Sequence, residues 1–267
     1  MSPSTTRYIG TSWKMTKTID EARTFAARLV EAVPTIPADV QPFILPSHTA
    51  LATVHSVLGD DSPVILGAQN AHWAAPGAHT GEVSMEQVRD AGATLVEIGH
   101  SERRAQFGET DETVMLKTRR AVDLGLRALV CVGESAATRS LGGAVDYVMG
   151  QVSQALASLQ SDELGRVIVA YEPQWAIGEN GTASSPDKVA DVLAEVRAQW
   201  QGLEAVLYGG SVTTSNAPGY FELPYLDGLF IGRAAWSVEG YLSFLQLPGP
   251  SAPVAHGRPS ATEASEV

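Results

Sequence analysis

The residues able to do chemistry in this chain stand at a few places, each directly after a short apolar run. Lys14 follows Arg7–Ser12. The segment His100-Ser101-Glu102-Arg103-Arg104 follows Thr94–Ile98, and Glu172 follows Val167–Tyr171. Gly209-Gly210-Ser211 and Gly232-Arg233 follow Ala205–Tyr208 and Gly228–Ile231. A carboxylate, an imidazole and an ammonium brought to one mouth supply a base, an electrophile and a charge stabiliser. Glycine-rich turns offer backbone N–H groups to a phosphate. Taken singly, each residue also has a plain structural reading. A lone Lys at a strand end is usually solvated, and a lone His is more often a satisfied core or surface residue. Glu102, Arg103 and Arg104 serve equally well as a structural ion-pair cluster, and Gly209-Gly210 alone is only a turn. Glu172 is harder to set aside, because a carboxylate ending an apolar strand is costly to place. Function is favoured by the joint placement.

That placement depends on the elements between. Eight runs read as strands: Arg7–Ser12, Pro42–Pro46, Val64–Gln69, Thr94–Ile98, Ala128–Val132, Val167–Tyr171, Ala205–Tyr208 and Gly228–Ile231. Most are continuously apolar and rich in β-branched residues, the pattern of strands buried on both faces. Helical periodicity fills Ile19–Val33, Met85–Ala91, Thr113–Leu124, Ala144–Leu159 and Pro186–Trp200. Thr110–Thr113 and Ser185–Pro186 supply start signals, the latter with Pro at the first helical position. Eight strands alternating with helices predict a closed (β/α)8 barrel, whose reactive groups stand at the carboxyl ends of the strands. An open doubly wound sheet is the competing fold, but it usually carries a GxGxxG turn after its first strand, and here that strand ends in GTSWKM.

Composition narrows the function classes. The 267 residues hold 18 basic and 30 acidic side chains, a net charge of −12, which argues against nucleic acid and against anionic membranes as partners. With 44% hydrophobic and 18% charged residues the chain is globular. No bilayer-length apolar run or signal pattern is present, and a single cysteine, Cys131, allows neither an intramolecular disulfide nor a CxxC site. The expectation is a cytoplasmic, single-domain barrel over residues 1–247. A Pro-, Ser- and Ala-rich tail over 248–267 reads as disordered.

The stretches VEIGHSERR, VAYEPQWAIG and LYGGSV resemble the signature segments of the triosephosphate isomerase family, with WKM, AQN, TGE and CVGE in support. The resemblance runs in register from about Tyr8 to Tyr241 and implies a TIM barrel that needs no metal or organic cofactor. It makes Glu172 the base, His100 the electrophile, Lys14 the charge neutraliser and Glu102 the residue that orients Lys14. It also implies a lid over Pro173–Ala183 and a phosphate site from the Gly178, Gly210 and Gly232 amides with Ser211. The family's loop that inserts into a neighbouring subunit is matched by Ala71–Gly81, which carries an exposed-looking Trp73. This implies a two-fold homodimer with Thr80 beside the partner's Lys14 and the partner's His100.

The chain also departs from the family pattern. Ser12 stands where an Asn is normal two residues before the catalytic Lys, and the last phosphate turn reads Ile231-Gly232-Arg233, without the usual second glycine. Together GTSWKM, AQNAHW, AIGENG and IGRAAW resemble the branch that isomerises tetrulose phosphates in erythritol catabolism. In that reading Ser12 makes room for a fourth carbon and Arg233 meets the phosphate. Drift within a glycolytic triosephosphate isomerase, with Arg233 in solvent, is the same-class alternative. A catalytically inactive phosphate-binding barrel is the alternative of another class, and intact Lys14, His100 and Glu172 argue against it.

Overall fold

The eight strands are short, because each needs only to cross a barrel wall and is apolar on both sides. The computed structural model describes residues 6–178 and 181–250; Glu179, Asn180 and the part of the expected tail over 251–267 lie outside them. The strands are β1 (Arg7–Ser12), β2 (Val40–Leu45), β3 (Ile65–Ala68), β4 (Leu95–Ile98), β5 (Arg127–Val132), β6 (Val167–Tyr171), β7 (Ala205–Gly210) and β8 (Gly228–Ile231). All are parallel, each pairs with the next, and β8 returns to β1 with Tyr8 opposite Gly228 to close the barrel. The closed (β/α)8 architecture excludes the open sheet. Strand limits differ from the sequence expectation by at most two residues, as at β2, which starts at Val40 rather than Pro42.

Alternation along each strand divides the core in two. On β4, Leu95 packs inside the barrel while Val96 and Ile98 pack outward against helices. The interior is filled by Phe43, Leu45, Leu129, Ile168, Leu207 and Phe230, with the rings of Phe43 and Phe230 stacked at 5.7 Å. Phe43 fits because Gly10 faces it: a Cβ at Gly10 would lie 2.0 Å from Phe43 Cζ.

Among the described residues the helices are α1 (Ile19–Ala32), α2 (Leu51–Leu58), α3 (Met85–Asp90), α4 (Ser101–Phe107), α5 (Asp111–Asp123), α6 (Ala136–Ser140), α7 (Ala144–Leu156), α8 (Ala190–Gln199), α9 (Ala217–Phe221) and α10 (Val238–Leu245). Thr18, Ser84 and Thr110 close capping boxes at α1, α3 and α5. Thr110 therefore starts α5 at Asp111, two residues before the expected Thr113. The expected helix from Pro186 is corrected. Pro186–Lys188 form a 3₁₀ turn, and α8 begins only at Ala190, after Val189 leaves helical φ at −118°.

The β3-to-α3 connection also differs from expectation. Residues 75–82 are exposed, but Trp73 is half-buried, stacked on His72 at 4.1 Å with Lys117 Nζ 6.0 Å from its ring centroid. The indole is held by its own loop and by α5.

Helix α10 is fastened to the barrel by Tyr241, which is fully buried. Its hydroxyl contacts the Ile9 carbonyl at 2.8 Å and the Phe43 carbonyl at 3.0 Å, and accepts from the Phe43 amide at 3.1 Å. Tyr241→Phe keeps the ring and removes a partner from buried backbone groups. It is expected to lower stability by about 1–3 kcal/mol, read as a lower urea midpoint, with turnover unchanged.

Candidate active site

Lys14 follows β1 in a conformation that a side chain resists, φ 51°, and is alone among described non-glycine residues in having positive φ. Gln69, just past β3, holds that turn by donating from Nε2 to the carbonyls of Lys14 and Leu45, both at 2.9 Å. The Lys14 ammonium then reaches Glu102 Oε1 at 2.7 Å. The ion pair is part-exposed, so its importance is positional rather than energetic.

His100 is the N-cap of α4, and its Nδ1 accepts the Glu102 backbone N–H at 3.1 Å. An Nδ1 that accepts carries no proton, so the ring's hydrogen is on Nε2, which points to Glu172 Oε2 at 3.8 Å. His100 and Glu172 are buried, at 5% and 7% exposure. Glu172 Oε2 has no hydrogen-bond partner, and its second oxygen lies against β7. Gly209 makes that seat: a Cβ there would come within 2.8 Å of Glu172 Cγ and Oε1. A buried carboxyl oxygen with nothing donating to it, facing an imidazole N–H, has a lone pair free to take a proton and so has the geometry of a general base.

The segment that follows β6 is held near its start and just past Ala183. On one side Trp175 Nε1 donates to Glu134 Oε1 at 2.8 Å, and Tyr171 donates to Glu134 Oε2 at 3.0 Å. Ser211 Oγ donates to the Ala176 carbonyl at 2.8 Å on that same side, and past the segment's far end Tyr220 donates to the Ser184 carbonyl at 2.6 Å. Gly178 turns the chain between them at φ 82°.

All ten sequence-predicted site residues line one cavity of about 700 Å³: Ser12, Lys14, His100, Glu102, Glu172, Gly178, Gly210, Ser211, Gly232 and Arg233. Arg233 is exposed and has no ion-pair or hydrogen-bond partner among the described residues. Arg103 and Arg104 stay out of this cavity. They pair with Glu109 at 2.8 Å and Asp111 at 2.6 Å, and Arg104 Nε donates to the Gly99 carbonyl, so both hold the turn that carries His100.

Sequence reasoning missed Gln69, the Glu134 anchor and Glu97, and read Gly209 only as part of a glycine turn, not as the seat of Glu172. Glu97 sits in β4 on the inward face, 3% exposed, and accepts from Ser12 Oγ at 2.8 Å. Burial pushes its carboxyl up to about 7, opposed by His100, assisted by Glu172, and opposed again by the Ser12 hydrogen bond and Lys14. The signal was a charged residue inside the apolar run LVEI.

The chain matches the triosephosphate isomerase family over residues 7–247. It belongs to that family. Among its relatives are proteins named L-erythrulose-1-phosphate isomerase. That of Mycolicibacterium smegmatis is 51% identical over 245 residues, covering 90% of this chain and 92% of the relative. That of Rhizobium rhizogenes is 47% identical over 250 residues, covering 92% and 95%, and that of Mesorhizobium japonicum 45% over 243 residues, covering 89% and 95%. As a member of the triosephosphate isomerase family the chain is an isomerase, and its substrate is a phosphorylated sugar.

Within that chemistry the seat of Glu172 is the most exacting distance. Gly209→Ala is expected to push the carboxyl out of line and lower kcat by roughly 100-fold. The methyl also comes within 3.1 Å of the Phe230 carbonyl on β8, so a lower thermal midpoint is expected beside the kinetic loss. Steady-state kinetics beside a thermal melt checks both.

Proposed function

We propose that this chain interconverts L-erythrulose 1-phosphate and D-erythrulose 4-phosphate by proton transfer through an enediolate. One observation carries the mechanism: the unpartnered Glu172 Oε2 faces His100 Nε2 in the cavity that Lys14 also lines. Glu172 takes the proton from the CHOH carbon beside the carbonyl, and the released electron pair forms the enediolate. His100 donates from Nε2 to the developing oxyanion, and Lys14 offsets its charge. His100 Nε2 gives its proton to that oxygen and takes the proton of the neighbouring hydroxyl, while Glu172 returns its own proton to the former carbonyl carbon, so the neighbouring oxygen becomes the new carbonyl. Atoms and electrons balance without any other reactant.

The lid supports this reading, since an enediolate next to a phosphate-bearing carbon must be kept from water to avoid losing phosphate. The amides of Gly178, Gly210 and Gly232 with Arg233 are the proposed phosphate site, and Ser211 serves it by holding Ala176. The choice of a four-carbon substrate is supported by the names of the relatives and by the small Ser12 on the cavity wall. The same reading gives a cytoplasmic role in erythritol catabolism to a single barrel domain over residues 1–247.

A side-by-side assay tests it. L-Erythrulose 1-phosphate is expected to give the larger kcat/KM, and a much larger value for glyceraldehyde 3-phosphate would make the chain a triosephosphate isomerase. Glu172→Gln, which keeps size and polarity but cannot take the proton, is expected to lower kcat by about 10²–10⁴ while leaving phosphate binding nearly intact.

We also propose a two-fold homodimer, with Thr80 of one protomer beside the partner's Lys14 and the partner's His100. Exposed residues 75–82 and a Met15 that is 97% exposed beside Lys14 support it. Sedimentation at micromolar concentration is expected to give twice the chain mass; a fully active monomer would exclude the dimer.

A further inference from the structure

Four glutamates of the described residues are buried: Glu97, Glu109, Glu134 and Glu172. Burying a carboxyl is expensive unless a cation or several donors meet it. Glu109 is met by Lys117 at 3.0 Å and Arg103 at 2.8 Å. Glu134 is met by Arg139 at 3.2 Å, with Trp175 and Tyr171. Glu172 has its partner in the reaction. Glu97 is left with no Lys or Arg ion pair among the described residues, and its hydrogen bond comes from Ser12 Oγ at 2.8 Å. The fold therefore gives no structural return for this charge, and it lies within the field of Lys14, His100 and Glu172.

Ser12 lines the cavity, while Glu97 lies one layer behind it. A serine hydroxyl has one proton and two lone pairs. With its proton committed to Glu97, Ser12 can present only lone pairs to the cavity, so it accepts a hydrogen bond and does not donate one. The Ser12 backbone is fixed as well, because Trp236 Nε1 donates to its carbonyl at 3.0 Å.

We propose that Ser12 and Glu97 form a hydroxyl-reading subsite: Ser12 Oγ accepts from the hydroxymethyl group of the four-carbon ketose phosphate, and Glu97 is the positioning residue that keeps Ser12 an acceptor. The inference rests on the tetrulose-phosphate reading above and assigns the contact that distinguishes that substrate from a triose phosphate. An acceptor backed by a carboxylate also repels phosphate, so it fixes which end of the substrate enters first.

A pH signature follows from the same geometry. When Glu97 is protonated it can donate to Ser12, the Ser12 proton is freed to turn into the cavity, and Ser12 is no longer held as an acceptor alone. Burial places this change at about 7. The groups acting on Glu97 are Ser12 and Lys14 at the end of β1, His100 after β4 and Glu172 after β6. The Cys131 thiol on β5 faces it as a neutral group, because burial and the charges of Glu172 and Glu97 hold that thiol well above its ordinary value. The preference for the tetrulose should thus weaken as pH falls through about 7. Any change in the machinery shared by both substrates cancels in the ratio of the two kcat/KM values, so that ratio is the quantity to read.

The test measures kcat and KM of the wild-type, Ser12→Ala and Glu97→Gln proteins on L-erythrulose 1-phosphate and on dihydroxyacetone phosphate from pH 6 to 8.5. Ser12→Ala is expected to raise KM for the tetrulose roughly 5- to 10-fold, the scale of one hydrogen bond, with little change for the triose. Glu97→Gln should flatten the pH dependence of the ratio. Because a carboxyl raised by burial destabilises the fold as pH rises through about 7, Glu97→Gln should also melt higher than wild type at pH 8, which shows that it folds. A wild type that prefers the tetrulose, with variants that lower both activities equally and a ratio that stays pH-independent, overturns the subsite alone. A wild type that prefers the triose overturns the subsite together with the functional reading.

Discussion

A carboxyl oxygen held inside a protein with nothing donating to it is an unfavourable arrangement, and the mouth of this barrel is organised around one. Glu172 Oε2 is buried and unpartnered. Water would relieve that cost, so the oxygen is useful only while walls exclude water and substrate replaces it. The walls are rigid: β6 is hydrogen-bonded on both sides, to β5 and β7, and the Glu172 amide donates to the Val132 carbonyl at 2.7 Å. The backbone is thus fixed by the ladder at the residue where the side chain leaves it. Gly209 then removes the one atom on β7 that would block the carboxyl.

The other two reactive groups are placed by local devices that complement this rigidity. His100 caps α4, and the cap hydrogen bond sets its tautomer, so a structural contact at Nδ1 makes Nε2 a donor. Lys14 is placed by backbone strain, φ 51°, and Gln69 sustains that strain through two carbonyls. The buried cluster of Lys117, Glu109, Asn70 and Arg103 ties α5 to the turns after β3 and β4, with Glu109 Oε1 also accepting the Gly99 amide. Three strand ends are thereby held in one frame by side chains of the barrel itself.

How much of this was legible follows from which forces act locally along the chain. The strands were readable because both faces of each are dry, which leaves apolar runs with little else in them. Lys14, His100 and Glu172 were readable because a polar or charged group directly after such a run stands at a strand end, where a closed barrel gathers its reactive side chains. Helices α2, α6, α9 and α10 were not foreseen, since two are only five residues long and the other two only eight, too short for a periodic pattern to stand out. Pro186 satisfied a helix-start rule that the chain uses for a 3₁₀ turn instead. Gln69 and Gly209 act on residues distant in sequence, so their roles exist only after closure of the barrel. Trp73 looked exposed because stacking on His72 is invisible in a string of residues.

A chain of net charge −12 should repel an anionic sugar phosphate. At physiological ionic strength, however, exposed charges more than about 8 Å away are largely screened, so the groups lining the cavity decide. Those at the rim are the Lys14–Glu102 ion pair, the unpaired Arg233 and the glycine turns after β6, β7 and β8. Among the described residues Arg233 is thus the cation there without a carboxylate partner, whereas the carboxyls of Glu97 and Glu172 lie deeper in the barrel. In the proposed reaction the phosphate is drawn to the rim and refused by the floor, so that only the uncharged hydroxyl end of the sugar approaches the two carboxyls. Orientation then precedes chemistry: the charge separation that keeps the phosphate away from Glu172 also brings to it the carbon whose proton Glu172 is proposed to take.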